Sequence, residues 1–447
     1  MVDASDAGQR ARRAFSLMTA AFSLSHAALT TAVMFATSAL GDALGNFSNA
    51  TLYTVSLLSS LVFAPWFINL LGPKRGLLGG LASCTVYLLC FSIAALELPG
   101  CACKDTREAV ALVGAAVGGL GASLLWTGQG IFFLTVAQQL ARPAKIPICD
   151  RDAQVELSKA TSQLSSSFAF WLLMVECVVK LQLAAVQTFA YAKPWLYFVL
   201  LGLAAVALVS FAFTDNLEMP RGTKMSMCSR AASALELWHD PTLWLLSLTA
   251  VSFGFSVAWL NSRVNAQLVE ALGQPNLGFA GALTTAVAGV TSKLSGLAEK
   301  KGAFIALGAA SFFLVGVLST VRPASGWGLW VLLFYVLHGI GRGVYESTYK
   351  GVLGDFFPSK AVGAFANVLV QSMLPSITVH VLAALGHEAM ANNLLIASAA
   401  LTLPCFLLAG LRANRRGPPA GLGQDPLREP FEGPTSSIPM DDPRTQL

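Results

Sequence analysis

Long apolar runs separated by short polar breaks dominate this chain. Twelve runs reach the roughly 20 residues that a helix rising 1.5 Å per residue needs to cross a bilayer. They lie at about 15–38, 51–71, 77–98, 109–131, 163–186, 194–213, 241–260, 277–297, 303–321, 327–349, 361–385 and 391–411. The pattern predicts an all-α membrane protein of twelve transmembrane helices in two six-helix halves. The longest break between the halves covers about 214–240 and contains Pro220, Arg221, Gly222, Lys224 and Arg230. The expected organisation is therefore a first half at 1–213, a cytoplasmic linker at 214–240, a second half at 241–412 and a tail at 413–447. The tail, rich in Pro and Gly (GPPAGLGQDPLREPFEGP), is expected to be disordered.

The polar breaks carry an orientation signal. With the N-terminus in the cytoplasm, 23 of the 29 Lys and Arg residues fall on the cytoplasmic side, Lys74 and Arg75 between spans two and three among them. Excess Lys and Arg in short loops marks that side. Both termini are expected in the cytoplasm, and the protein in the plasma membrane or an endomembrane. The sequons Asn46-Phe47-Ser48 and Asn49-Ala50-Thr51 then face the other side, where glycosylation acts, so Asn46 and Asn49 are candidate acceptors.

Composition fixes the class. The chain is 55% hydrophobic, 12% charged and has a mean hydropathy of +0.62, whereas soluble domains carry about 25% charged residues. The lipid bilayer is thus the first expected partner. The first apolar run follows Arg10, Arg12 and Arg13 but is too long for a signal peptide and is expected to be retained. The net charge of +5 is scattered through loops with no basic, aromatic-interleaved run, which excludes a nucleic-acid surface. Cys84, Cys90, Cys177 and Cys405 sit in apolar runs as packing residues. Cys101 and Cys103 share one loop, where they would pair only if that loop faces an oxidising lumen. There is no P-loop, zinc-protease helix, nucleophile elbow or metal-spaced Cys/His set. The reading is a non-enzyme without a cofactor.

The two halves echo each other. Asn69-Leu70-Leu71-Gly72-Pro73-Lys74-Arg75 follows span two, and Gly296-Leu297-Ala298-Glu299-Lys300-Lys301-Gly302 follows span eight. Ala43-Leu44-Gly45 precedes span two and Ala271-Leu272-Gly273 precedes span eight, 228 residues on. Gly119-Leu120-Gly121 in span four recurs as Gly339-Ile340-Gly341 in span ten, 220 residues on. The loop with Cys101 and Cys103 accounts for the drop in offset. The Gly pairs also suit close helix packing in lipid.

Ionisable groups inside a span cost about 2.5–3.5 kcal/mol each on insertion scales. Span ten holds His338, Arg342, Glu346 and Lys350 at every fourth position, on one slowly drifting stripe. The stripe reads either as the lining of a pathway or as an Arg–Glu–Lys ladder at a snorkelling helix end. Glu176 and Lys180 in span five read as a structural ion pair. His26 in span one and Gln129 in span four are single polar residues with a core or a ligand role, and Trp126 is an interfacial anchor or a cavity wall.

The segment after span eight is similar to the loop signature Gly-x-x-acid-base-x-Gly of the major facilitator superfamily, through Gly296, Glu299, Lys300 and Gly302. The copy after span two keeps Gly72 and Lys74, with Asn69 at the acidic position. Three stretches, ALGNFSNATLYTVSLLSSLVFAPWFINLLGPKR (43–75), GGLGASLLWTGQGIFF (118–133) and GIGRGVYESTYKGVLGDFFP (339–358), resemble the uncoordinated-93-like family of that superfamily. The resemblance implies a twelve-helix facilitator fold. Its implied roles are regulation of a potassium channel, escort of membrane receptors, or solute transport. In the last stretch Arg342 stands where the family pattern has an acid after Gly-x-Gly. Two readings follow: a secondary carrier for a small solute or ion, or a transport-inert scaffold or trafficking partner of a channel or receptor.

Overall fold

The computed structural model describes residues 4–96, 104–141, 151–189, 194–214, 235–296, 301–357 and 360–416. The described chain is almost wholly helical. Twelve spans are formed: α1 (Ala4–Leu40), α2 (Asp42–Leu61 with Phe63–Leu71), α3 (Pro73–Ala95), α4 (Lys104–Ala141), α5 (Arg151–Phe189), α6 (Pro194–Tyr197 running into Phe198–Ala212), α7 (Pro241–Leu272), α8 (Gln274–Gly296), α9 (Lys301–Val321), α10 (Ala324–Phe356), α11 (Ala361–Ala384) and α12 (Glu388–Arg416). Large apolar side chains such as Leu58, Trp171, Val206, Leu307 and Leu401 are exposed on its outer faces, as a lipid-facing surface requires. The chain is a multi-pass integral membrane protein.

Several helices outrun their apolar stretches. The first begins at Ala4 rather than near residue 15, α4 continues to Ala141, α5 begins at Arg151, and α12 continues to Arg416. Hydropathy marks only the part of a helix inside hydrocarbon, while the backbone ladder continues into water until something stops it. The α7 span also runs past residue 260, because a π turn at Leu260–Val264 carries the helix on to Leu272. A second π turn, Tyr345–Tyr349, lies inside α10.

The breaks have local causes. Pro65 cannot donate to the carbonyl of Leu61, so α2 bends by 55° there. Gly72 and Gly273 sit at φ 86° and 87° with extended ψ, a region effectively reserved for glycine, and each reverses the chain in a single residue. Pro73 then opens α3, and Asp240 caps α7 by accepting from the Thr242 N–H at 2.9 Å.

Packing repeats between the halves. In the first half, α3 packs on α4, α2 on α4, α1 on α5 and α6, and α3 on α6. In the second, α9 packs on α10, α8 on α10, α7 on α11 and α12, and α9 on α12. Each pair has its partner six helices later. Across the seam the main contacts are α2 with α11 and α5 with α8, which exchange under the same relation.

The glycine echo of spans four and ten has a common structural basis. A Cβ on Gly119 would lie 2.5 Å from the Leu52 carbonyl oxygen of α2, and one on Gly339 would lie 2.7 Å from that of Thr284 in α8. Gly121 meets Cys84 of α3 in the same way that Gly341 meets Phe312 of α9. The other echo needs a correction of register. The counterpart of Gly273 is Gly41, with φ 93° and the same extended ψ, so the repeated triplet is Ala39-Leu40-Gly41. Gly41 and Gly273 stand 232 residues apart, as do Leu52 and Thr284. Gly45 lies one turn inside α2, against the Ala36 carbonyl.

Candidate functional site

The charged stripe of α10 meets the charged pair of α5 across the seam. Arg342 donates to both Glu176 carboxylate oxygens, at 2.9 Å from Nη1 and 2.6 Å from Nη2. Lys180, one turn along α5, donates to Glu176 Oε1 at 2.6 Å. The side chains of Glu176, Lys180 and Arg342 are 1%, 6% and 11% exposed. A bidentate guanidinium–carboxylate pair of this kind fixes geometry as well as charge. The ladder is thus only partly closed within α10. Lys350 pairs with Glu346 at 2.7 Å, as the spacing predicts, but Arg342 leaves its own helix for Glu176.

Beside this pair lies an aromatic group of the first half, covered by a cation from the second. His26 of α1 stands edge-on to Trp126 of α4, ring centres 5.3 Å apart, and stacks on Phe22 at 5.7 Å. Phe22 and Phe168 pack against the same Trp126 ring. Lys350 Nζ reaches from α10 to 5.9 Å above Trp126 and equally far from its own neighbour Tyr345. Trp126 thus packs among first-half rings with a second-half cation over its face.

The other predicted residues fall elsewhere. His338 is buried within the second half, its Nδ1 2.8 Å from Ser256 Oγ and its ring near Phe253 and Phe312. It joins α10 to α7 and does not enter the charged group. Gln129 lies half-buried on α4, one turn beyond Trp126, without a hydrogen bond to the cluster. Gly72 forms the α2–α3 turn, with Asn69 and Lys74 half-buried beside it. In the second loop, Gly296 ends α8 and Gly302 opens α9 against Phe406, while Glu299 and Lys300 lie outside the described residues, as do Cys101, Cys103 and the tail from 417.

The sequons lie within a helix rather than in a loop. Asn46 and Asn49 are 2% and 0% exposed, inside α2. Asn46 Nδ2 donates to the Asp42 carbonyl, and its Oδ1 lies 2.9 Å from His380 Nδ1 on α11. Asn49 Nδ2 donates to the Val33 carbonyl of α1. A glycan at either position would have to displace a packed helix. Replacing Asn46 and Asn49 by Gln is expected to leave the electrophoretic mobility of the cell-expressed protein unchanged, with and without peptide-N-glycosidase; a mobility shift on treatment that the variants lack would contradict this.

Sequence reading missed a second set of contacts across the seam, at the end away from the termini. Thr37 donates to the Asn261 carbonyl at 3.3 Å, Asn265 donates to the Met34 carbonyl at 3.1 Å, and Gln274 donates to Tyr197 at 2.7 Å. With Asn46 and His380 these contacts clasp α1, α2 and α6 to α7, α8 and α11. Neutral amides and hydroxyls are common in membrane helices, so nothing in their spacing distinguishes them. The buried Glu176 offered a stronger signal, since a carboxylate and a cation surplus on another span must find each other in lipid.

No protein-family model matches the chain, and no curated protein matches it in sequence. Solved structures do match it in fold. A bacterial homologue of the human drug peptide transporters is similar over 92% of this chain and 99% of its own, with a TM-score of 0.62 and 12% identity. A structure of a proton-dependent oligopeptide transporter covers 92% and 99%, with a TM-score of 0.61 and 12% identity. The D-xylose–proton symporter covers 89% and 95%, with a TM-score of 0.57 and 12% identity. The chain shares the fold of these structures, twelve membrane helices in two six-helix halves, with a buried ionic cluster on the seam between them.

Proposed function

We propose that the chain is a secondary carrier that moves a small solute by rocking its two halves about the seam. The observation that carries this is the Arg342–Glu176 pair, which joins α10 to α5 deep in the bundle. Stability alone gives little reason to keep such a pair, since apolar packing of equal volume serves as well or better. A charge pair held between two bodies does serve a protein that must open and close there, because its geometry is made in one arrangement and lost in another. The clasp at the end away from the termini describes the closed side in this arrangement. With the termini in the cytoplasm, as the Lys and Arg bias sets them, the clasp closes the outer side.

The stretches at 43–75, 118–133 and 339–358 support an uncoordinated-93-like affiliation within this fold. The potassium-channel and receptor-escort roles that go with it draw no support from the seam, and they become outcomes of the test. Proteoliposomes of the purified protein are incubated with a mixture of small metabolites, and their contents are measured by mass spectrometry. The carrier reading predicts accumulation of at least one solute over protein-free vesicles, and its loss with Arg342→Gln. Accumulation of nothing, with altered current through a co-reconstituted potassium channel, would replace the carrier by a regulator.

A further inference from the structure

We infer that the seam takes a small organic anion, a monocarboxylate with a flat aromatic body, between Lys350 and the ring of Trp126. The inference rests on the carrier reading and names its substrate class. Among the described residues, the ionic cluster holds three cations, Lys180, Arg342 and Lys350, against two carboxylates, Glu176 and Glu346. Glu176 serves both Lys180 and Arg342, and Lys350 pairs one to one with Glu346, so the one positive charge in excess lies on the Glu176 triad, two turns along α10 from Lys350. Surplus charge between membrane helices is costly unless something negative joins it.

Lys350 is the cation placed to receive that partner. Its side chain is 36% exposed, against 6% for Lys180 and 11% for Arg342, so it is the one a solute can reach. An ammonium has three donors; one goes to Glu346 Oε2 at 2.7 Å. The rings of Trp126 and Tyr345, each 5.9 Å from Nζ, flank it from opposite halves. Next to Trp126, the buried Nδ1 of His26 has no hydrogen-bond partner among the described residues. The Tyr345 ring is already stacked on Phe253, with centroids 3.9 Å apart, so an aromatic body would lie on the Trp126 ring, its carboxylate on Lys350. A cationic solute would meet the Lys350 ammonium and the excess positive charge of the cluster, and a neutral sugar would leave that charge without a partner.

The test uses the full chain in lipid nanodiscs and a matched set of probes: indole-3-acetate, its neutral amide indole-3-acetamide, and the cation tryptamine. Indole-3-acetate is expected to bind about tenfold or more tighter than either comparator. Lys350→Gln should lose that preference, Lys350→Arg should keep most of it, and Glu346→Gln should tighten indole-3-acetate by freeing the ammonium. Unchanged size-exclusion profiles and unfolding midpoints show that the variants are folded. Equal binding of the amide or of tryptamine, no binding of any probe, or indifference to Lys350→Gln would each overturn the assignment. Uptake of another solute that depends on Arg342 would then keep the carrier and reject the anion. Absence of any Arg342-dependent uptake would reject the carrier itself.

Discussion

Glu176→Gln is expected to destabilise the protein by about 3–5 kcal/mol, the usual cost of stranding a buried charge, while Arg342→Gln costs less than half as much. The difference follows from how the charges are shared. Glu176 is the only carboxylate bonded to Arg342 and to Lys180 among the described residues, so its loss strands two cations at once. Loss of Arg342 leaves Glu176 paired with Lys180 at 2.6 Å. Reversible unfolding in mixed micelles, followed by denaturant midpoint, measures the difference. Equal losses in the two variants would mean that Lys180 is solvated and that the network is not shared as described.

Gly119→Leu and Gly339→Leu are expected to produce the second-largest effect, and to do so alike. Each glycine lets its helix approach the carbonyl of a neighbour, Leu52 on α2 or Thr284 on α8, too closely for any side chain. Overpacking of this kind costs about 1–3 kcal/mol even where the surroundings can yield, and backbone yields less than a flexible side chain. Gly202→Leu on α6 is the control, because nothing lies within 4 Å of its missing Cβ and the residue is exposed. A large loss at one glycine of the pair and none at the other would contradict the repeat at this crossing.

The fold was largely legible in the sequence because lipid imposes so simple a rule on it. Twelve apolar runs of sufficient length correspond to twelve spans, with α2 counted as one bent span. What stayed hidden were features set by backbone rather than by hydropathy. The π turns in α7 and α10 leave no compositional trace. The triplet at Ala43–Gly45 matched Ala271–Gly273 in letters, while the geometry selects Ala39–Gly41 through its positive φ. The sequons likewise depend on where α2 begins, and Gly41 starts it early enough to bury both asparagines.

The site was legible in its members more than in its pairing. Spacing along α10 grouped Arg342, Glu346 and Lys350, and spacing along α5 grouped Glu176 with Lys180. Periodicity says nothing of which stripe on one helix faces which on another, so the bond from Arg342 to Glu176 could come only from the packing. His338 illustrates the converse. It shares the stripe by number, yet the slow drift of a four-residue repeat on a helix of 3.6 residues per turn carries it toward Ser256 and away from the seam.

In the proposed carrier the two halves part at the clasped end and the Arg342–Glu176 pair opposes this. Spin labels on Asp42→Cys and Glu270→Cys, exposed residues at that end of α2 and α7, report the separation in a background with the eight native cysteines replaced. Double electron–electron resonance should give one short distance in the parent protein and a second, longer population when Arg342→Gln is added. A single short distance that is the same in both proteins, in micelles and in liposomes, would contradict the account.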